Sequence, residues 1–295
     1  MTALRWLIQS LATLLTNSYF LFPFGSVIYE GPLKAVCTPG LNCYACPAAV
    51  LSCPVGAFQH FMTNLRFAWA AGAGFPRPGL SVVGFLGFIG TLVGRMPCGW
   101  VCPFGFIQDL LYKIPSPKFP LWAWLHKVKY VVLVVFVVAM PLLWLDATGL
   151  GEPWFCKLIC PAGTLEGALP LLIIKPNLWQ NLGFYFWNKI TIMVLIIGWA
   201  VVTSRPFCRT LCPLGAFYGL FNRVSLFQLY FDAEQCVACQ ACARGCPMGL
   251  EAYTEVNDSN CIRCLKCVEA CKFGALSYTR HRPAPALAPS PEAPL

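Results

Sequence analysis

At 295 residues the chain has the length of one or two domains, but 58% hydrophobic and 11% charged residues, with a mean hydropathy of +0.64, exclude an ordinary soluble globule. The net charge of +9 does not form a basic stripe; Lys and Arg flank apolar segments, which argues for membrane topology and against a nucleic-acid surface. Eighteen cysteines dominate, none in a Cys-x-x-Cys-His context, and of His60, His126 and His281 no pair falls inside an apolar span, so haem is not expected.

A spanning helix needs about 20 mainly apolar residues to cross roughly 30 Å of hydrocarbon. Residues 4–24, 79–96, 128–146 and 185–204 meet that requirement. Gln9, Thr16 and Asn17 interrupt the first, which reads as an anchor: Arg5 alone makes a poor signal-peptide head, and no small-x-small cleavage site follows. The stretches "FPLWAWL" and "NLWQNLGFYFW" read as interfacial aromatic belts, with a quinone pocket as the second reading.

Between and around these spans a Cys-Pro-x-Gly step recurs at Cys53, Cys102, Cys160 and Cys212, at intervals of 49, 58 and 52 residues. That is an internal repeat. Proline is favoured at the first helical position, so each step predicts a short amphipathic helix whose positive end faces the thiol. The fold class expected is therefore an α-helical membrane protein of about four spans, followed by an α+β two-cluster ferredoxin domain. The domains are 1–229, 230–280 and a disordered Pro/Ala-rich tail, 281–295.

The ferredoxin signal is the most specific. "CVACQACARGCP" and "CIRCLKCVEAC" repeat the two-cluster spacing, in which three thiolates hold one cubane and the fourth reaches the other. Cys236, Cys239, Cys242 and Cys271 then hold one [4Fe-4S] cluster, and Cys261, Cys264, Cys267 and Cys246 the second. Zinc normally takes paired Cys-x-x-Cys units, and a cytosolic module resists disulfides.

The remaining thiols group by topology. Lys and Arg crowd the loops after the second and fourth spans, which places both termini and the Cys98 and Cys208 loops in the cytoplasm. Cys98, Cys102, Cys208 and Cys212 then form an inner four-thiol cluster site. Cys156 and Cys160 need partners on the other face, and the repeat nominates Cys46 and Cys53, with Cys37 and Cys43 as alternative ligands or as a disulfide. Structural zinc or small apolar packing are the plainer roles for these thiols.

"RWLIQ", "CGWVCPFGFIQDLL", "CRTLCPLGAFYGLF" and the double ferredoxin motif together resemble membrane polyferredoxins of the NapH and NosR type, over most of residues 1–280. The resemblance implies a multi-helix membrane domain in a prokaryotic cytoplasmic membrane, a cytoplasmic ferredoxin domain, and ligand roles for Cys98, Cys102, Cys208, Cys212 and the eight ferredoxin cysteines. It further implies electron transfer from a cytoplasmic donor or the quinol pool to a partner redox enzyme or cytochrome subunit. The extra Cys156/Cys160 pair and the N-terminal four cysteines depart from the family pattern, and no large flavin domain is present. No substrate site is evident, so a non-catalytic subunit is expected. A second class of function is a metal-handling or redox-sensing assembly factor, with Cys37 and Cys43 as the handling pair.

Overall fold

The computed structural model describes residues 2–20, 27–72, 79–144 and 151–279. Residues 21–24 and 145–146 of the expected spans and the 281–295 tail lie outside them.

Two helices are long and apolar enough to cross a bilayer, Leu125–Leu143 and Phe184–Val202; Leu80–Val93 and Gly163–Ile174 are apolar but shorter. The expectation of four spans is thus met by two full-length helices among the described residues. The first segment is helical only over Thr2–Thr16, and its buried residues are Arg5, Gln9, Ala12 and Thr16. Leu4, Leu7, Leu11, Leu14 and Leu15 are exposed. The helix is therefore inside-out, with its polar stripe toward the protein and its leucines outward.

Two helices carry π-helical segments, Leu133–Ala139 and Gly163–Ala168. Each ends two residues before a proline, Pro141 and Pro170. The missing N–H and the clash of the ring with the preceding turn explain the local widening.

One core joins the helical region. Leu41, Cys53, Cys98, Cys102, Phe155, Cys160, Cys212 and Tyr218 belong to the same buried cluster, with Cys246 and Cys264 packed against it. A second cluster links Trp100 to Leu229, Leu265 and Leu276 of the C-terminal module. That module pairs strand β1 (Gln228–Phe231) antiparallel with β2 (Leu276–Thr279), in the register Leu229↔Tyr278. The short helices Ala241–Arg244 and Lys266–Ala270 lie between the strands in sequence.

Candidate iron–sulfur sites

Cys53, Cys102 and Cys212 each sit at a helix N-cap with ψ of 125°, 115° and 111°, and proline fills the first helical position. The glycine three residues later turns its N–H to the sulfur: Gly105 to Cys102, Gly163 to Cys160 and Gly215 to Cys212, each at 3.4 Å. A thiol takes the place usually held by a Ser or Asp cap, at the positive end of the helix.

Cys98 and Cys102 face Cys208 and Cys212, all at most 5% exposed. The thiols of these four act electrostatically on one another. Two arginines cross-brace the set. Arg95, three residues before Cys98, donates to the Cys208 carbonyl; Arg205, three residues before Cys208, donates to the Cys98 carbonyl at 2.6 Å. Arg205 also grips Asp109 at 2.7 and 2.6 Å, and Arg5 reaches the same carboxylate at 3.1 Å. Against the upward push of burial, Arg205 and then Arg5 hold the Asp109 carboxyl below its ordinary value.

A second set stands around a partly open cavity of about 120 Å3, lined by Cys43, Cys53, Cys156 and Cys160 with Tyr44 and Lys189. Cys43, one of the alternative ligands the sequence offered, lines this cavity with the other three, whereas Cys46 is not among its lining residues. The Cys43 N–H donates to Glu166 at 2.8 Å, which anchors the loop against the Gly163–Ile174 helix. Gly167 leaves the room, since a Cβ there would lie 3.2 Å from the Cys43 sulfur. Cys46 is turned away by two backbone turns, Cys46 N–H to Cys43 O and Ala49 N–H to Cys46 O, each 3.1 Å. Its thiol interacts with Glu166 and Lys34. Cys37 is held by the bridge to Ser52, and both Cys37 and Cys43 are free thiols, not a disulfide. Desolvation, reinforced by neighbouring thiols, pushes Cys43, Cys53 and Cys160 up to about 12 each. Without a bound metal they keep their protons; loading this set would release them.

The two sets abut. The Leu41 N–H donates to the Cys102 sulfur at 3.3 Å, and a Cβ on Gly40 would stand 2.7 Å from the Cys102 Cα. The loop that supplies Cys43 thus also lines the first set.

In the C-terminal module one cavity, of about 20 Å3, is lined by Cys236, Cys239, Cys242 and Cys271. Another, of about 20 Å3, is lined by Cys246, Cys261, Cys264 and Cys267. Ala238 and Gln240 in one triplet, and Arg263 and Leu265 in the other, adopt left-handed backbone, with φ from 49° to 60°. Each such residue costs roughly 1–2 kcal/mol. Alternating hands turn successive N–H groups inward into an anion-binding nest, and the Arg263 N–H points to the Cys261 sulfur at 3.4 Å. Among the described residues no three His, Cys, Asp or Glu side chains draw together around a single ion. The thiols surround cavities instead, which fits a polynuclear cluster whose four thiolates each bind a different iron.

The second triplet docks on the first set. Trp100 Nε1 donates to Arg263 O at 2.9 Å, and Asn222 Nδ2 to Cys261 O at 2.8 Å. A Cβ on Gly99 would stand 2.5 Å from Ile262 O, so glycine permits the approach. Arg95, Arg205 and Asp109 were not singled out from the sequence for this role. Their signal was available in the common three-residue offset of each arginine from its cysteine.

A model of the 4Fe-4S binding domain matches four stretches, 52–71, 76–121, 130–169 and 186–229, together half of the chain, and each contains one Cys-Pro-x-Gly step. A 4Fe-4S dicluster domain matches 228–272. This chain belongs to the 4Fe-4S polyferredoxins of the NapH and NosR type. [4Fe-4S] clusters are the cofactor of this polyferredoxin. It is 30% identical to an uncharacterized protein of Methanocaldococcus jannaschii over 54% of this chain and 61% of the relative. It is 29% identical to the methylamine utilization ferredoxin-type protein MauN of Methylorubrum extorquens, over 66% and 60%. The regulatory protein NosR of Stutzerimonas stutzeri is 28% identical over 50% of this chain but only 19% of its own length. The polyferredoxin thus spans less than two thirds of each of these relatives. No solved structure matches it.

Proposed function

We propose that this polyferredoxin is a membrane electron-transfer subunit. It relays electrons between a cytoplasmic donor or the quinol pool and a partner redox enzyme, in a prokaryotic cytoplasmic membrane. The single observation that carries the proposal is the unbroken order of four thiol sets. Cys242 and Cys271 of the first ferredoxin set and Cys261 of the second pack against one buried cluster, the second set docks through Ile262 and Arg263 on the Cys98–Cys102 turn, and that turn touches the loop carrying Cys43.

The ligands are then Cys236, Cys239, Cys242 and Cys271; Cys246, Cys261, Cys264 and Cys267; Cys98, Cys102, Cys208 and Cys212; and Cys43, Cys53, Cys156 and Cys160. When bound, [4Fe-4S] clusters supply one-electron carriers whose potentials depend on charge, hydrogen bonds and exposure. The chain's own part is to hold the thiols, to keep water from the Cys98 set, and to fix the spacing between sets through a shared core. The inside-out first helix supports the membrane reading, as do the apolar helices Leu125–Leu143 and Phe184–Val202, whose most hydrophobic windows are only 22% and 17% buried.

The test is Cys156→Ser with Cys160→Ser in anaerobically purified protein. The ferredoxin signals remain, iron falls by about four per chain, and electron delivery across the membrane stops. Undiminished delivery would sink the relay. It would favour the assembly-factor reading, for which Cys37 and Cys46 are the thiols left outside the four sets.

A further inference from the structure

Six residues after the second cysteine of each step the repeat places Gln59, Gln108, Glu166 and Tyr218. Each lies on the helix its own step begins and faces the other half of its set. Gln59 Nε2 donates to the Cys156 sulfur at 3.2 Å, and Gln108 Nε2 to the Cys208 sulfur at 3.1 Å. Glu166 accepts the Cys43 N–H, and the fully buried Tyr218 hydroxyl has no hydrogen-bond partner among the described residues.

The two glutamines match at their amide nitrogens, while the Gln108 Oε1 has no partner among the described residues. Each amide nitrogen also meets the carbonyl four residues back on its own helix, Val55 O at 3.4 Å and Phe104 O at 3.3 Å. A carbonyl can only accept, so these contacts identify the nitrogen. Gln59 is pinned further, because its Oε1 accepts the Phe155 N–H at 3.0 Å, leaving the nitrogen to face Cys156. Both side chains are at most 1% exposed, so neither amide has water as an alternative partner.

We propose that Gln59 and Gln108 are positioning residues, each donating an N–H···S hydrogen bond to a ligand thiolate supplied by the opposite half of its set and thereby raising the reduction potential of the cluster held there. The inference rests on the ligand assignment made above. Its physics is that a donor stabilises the more negative, reduced state of a cluster through its sulfurs, and a buried donor does so without competition from water. The repeat installs one such donor per set and so offers one potential adjustment for each.

The experiment uses the full chain, purified anaerobically, with iron and sulfide measured beside an EPR-monitored redox titration of Gln59→Met and Gln108→Met. Methionine keeps the length and burial of the side chain but donates nothing. Each variant retains iron near that of the parent. Each also lowers the midpoint of one signal, a different one for each glutamine, while the two ferredoxin signals stay in place. The expected shift is a tenfold change in the oxidised-to-reduced ratio at fixed potential, about 59 mV for a one-electron couple. Gln59→Glu and Gln108→Glu shift the same signals further, because a carboxylate adds negative charge where a donor stood. Parent iron near eight per chain would mean that the helical region holds no clusters, and the ligand assignment itself would fall. Iron near sixteen with unmoved midpoints would overturn this inference alone. Loss of iron from both the Met and the Glu variants would make the glutamines purely structural and also overturn it.

Discussion

Around Cys98, Cys102, Cys208 and Cys212 the chain sets two reciprocal arginines and an aspartate, and closes the site to water. Around Cys43, Cys53, Cys156 and Cys160 it uses the same Cys-Pro-x-Gly caps and the same glutamine. There, however, it places Glu166 and Lys189 and leaves a mouth. Shared geometry at the caps shows what a thiol set requires. The difference is one of position: the first set is fixed between the ferredoxin module and the core, whereas the second lines a partly open cavity.

The largest effect is expected where the second set draws its fourth thiol from a loop instead of a repeat. Cys43→Ser removes about four irons per chain, one cluster, and with it the corresponding EPR signal. Cys46→Ser and Cys37→Ser leave iron unchanged. Iron loss from Cys46→Ser with retention in Cys43→Ser would reverse the assignment and restore the fourth thiol named by sequence.

The bracing of the first set gives the next effect. Asp109→Ala leaves Arg5 and Arg205 buried without their counter-charge, at a cost of about 3–5 kcal/mol. The first set's cluster is then lost at lower temperature or denaturant concentration, while the second set, which has no such triad, holds its own. Because the folded Asp109 pKa lies below its unfolded value, its contribution is present above pH ~4 and disappears as pH falls through the lower, folded pKa. Equal loss of both clusters in Asp109→Ala would mean that the two sets unfold as one unit.

The ferredoxin cysteines were legible because triplet spacing is a local property: three ligands of one cluster lie within seven residues, and the structure lines one cavity with each expected four. The Cys-Pro-x-Gly repeat was legible for the same reason, since cap, proline and glycine act within one turn. Cys43 was legible only as an alternative to Cys46: Cys46-Pro imitates the repeat, yet no glycine stands three residues on, and the contact that holds the Cys43 backbone is with Glu166, 123 residues away in sequence. Among the described residues the first segment is helical over Thr2–Thr16, and hydropathy counts its apolar residues without their direction. Gln9 and Thr16 look like interruptions of a span but form, with Arg5, the stripe that packs inward.

The docking between module and helices distinguishes the sets most finely, because among the described residues the first set's turn touches the ferredoxin. Trp100 supplies one hydrogen bond to Arg263 O, at the tip of the second triplet, and its ring joins the core shared with Leu229 and Leu276. Trp100→Phe keeps most of the ring's burial and deletes the N–H, leaving the Arg263 carbonyl buried without that donor. The expected cost is about 0.5–1.5 kcal/mol, smaller than that of Asp109→Ala. It falls on the interface and not on either cluster, so iron content and midpoints stay constant. The effect is read as faster hydrogen exchange across residues 258–265, with exchange in the loop around Cys43 unchanged. Faster exchange at both places would show that the series of sets opens as a whole, and that the first is no more tightly bolted than the second.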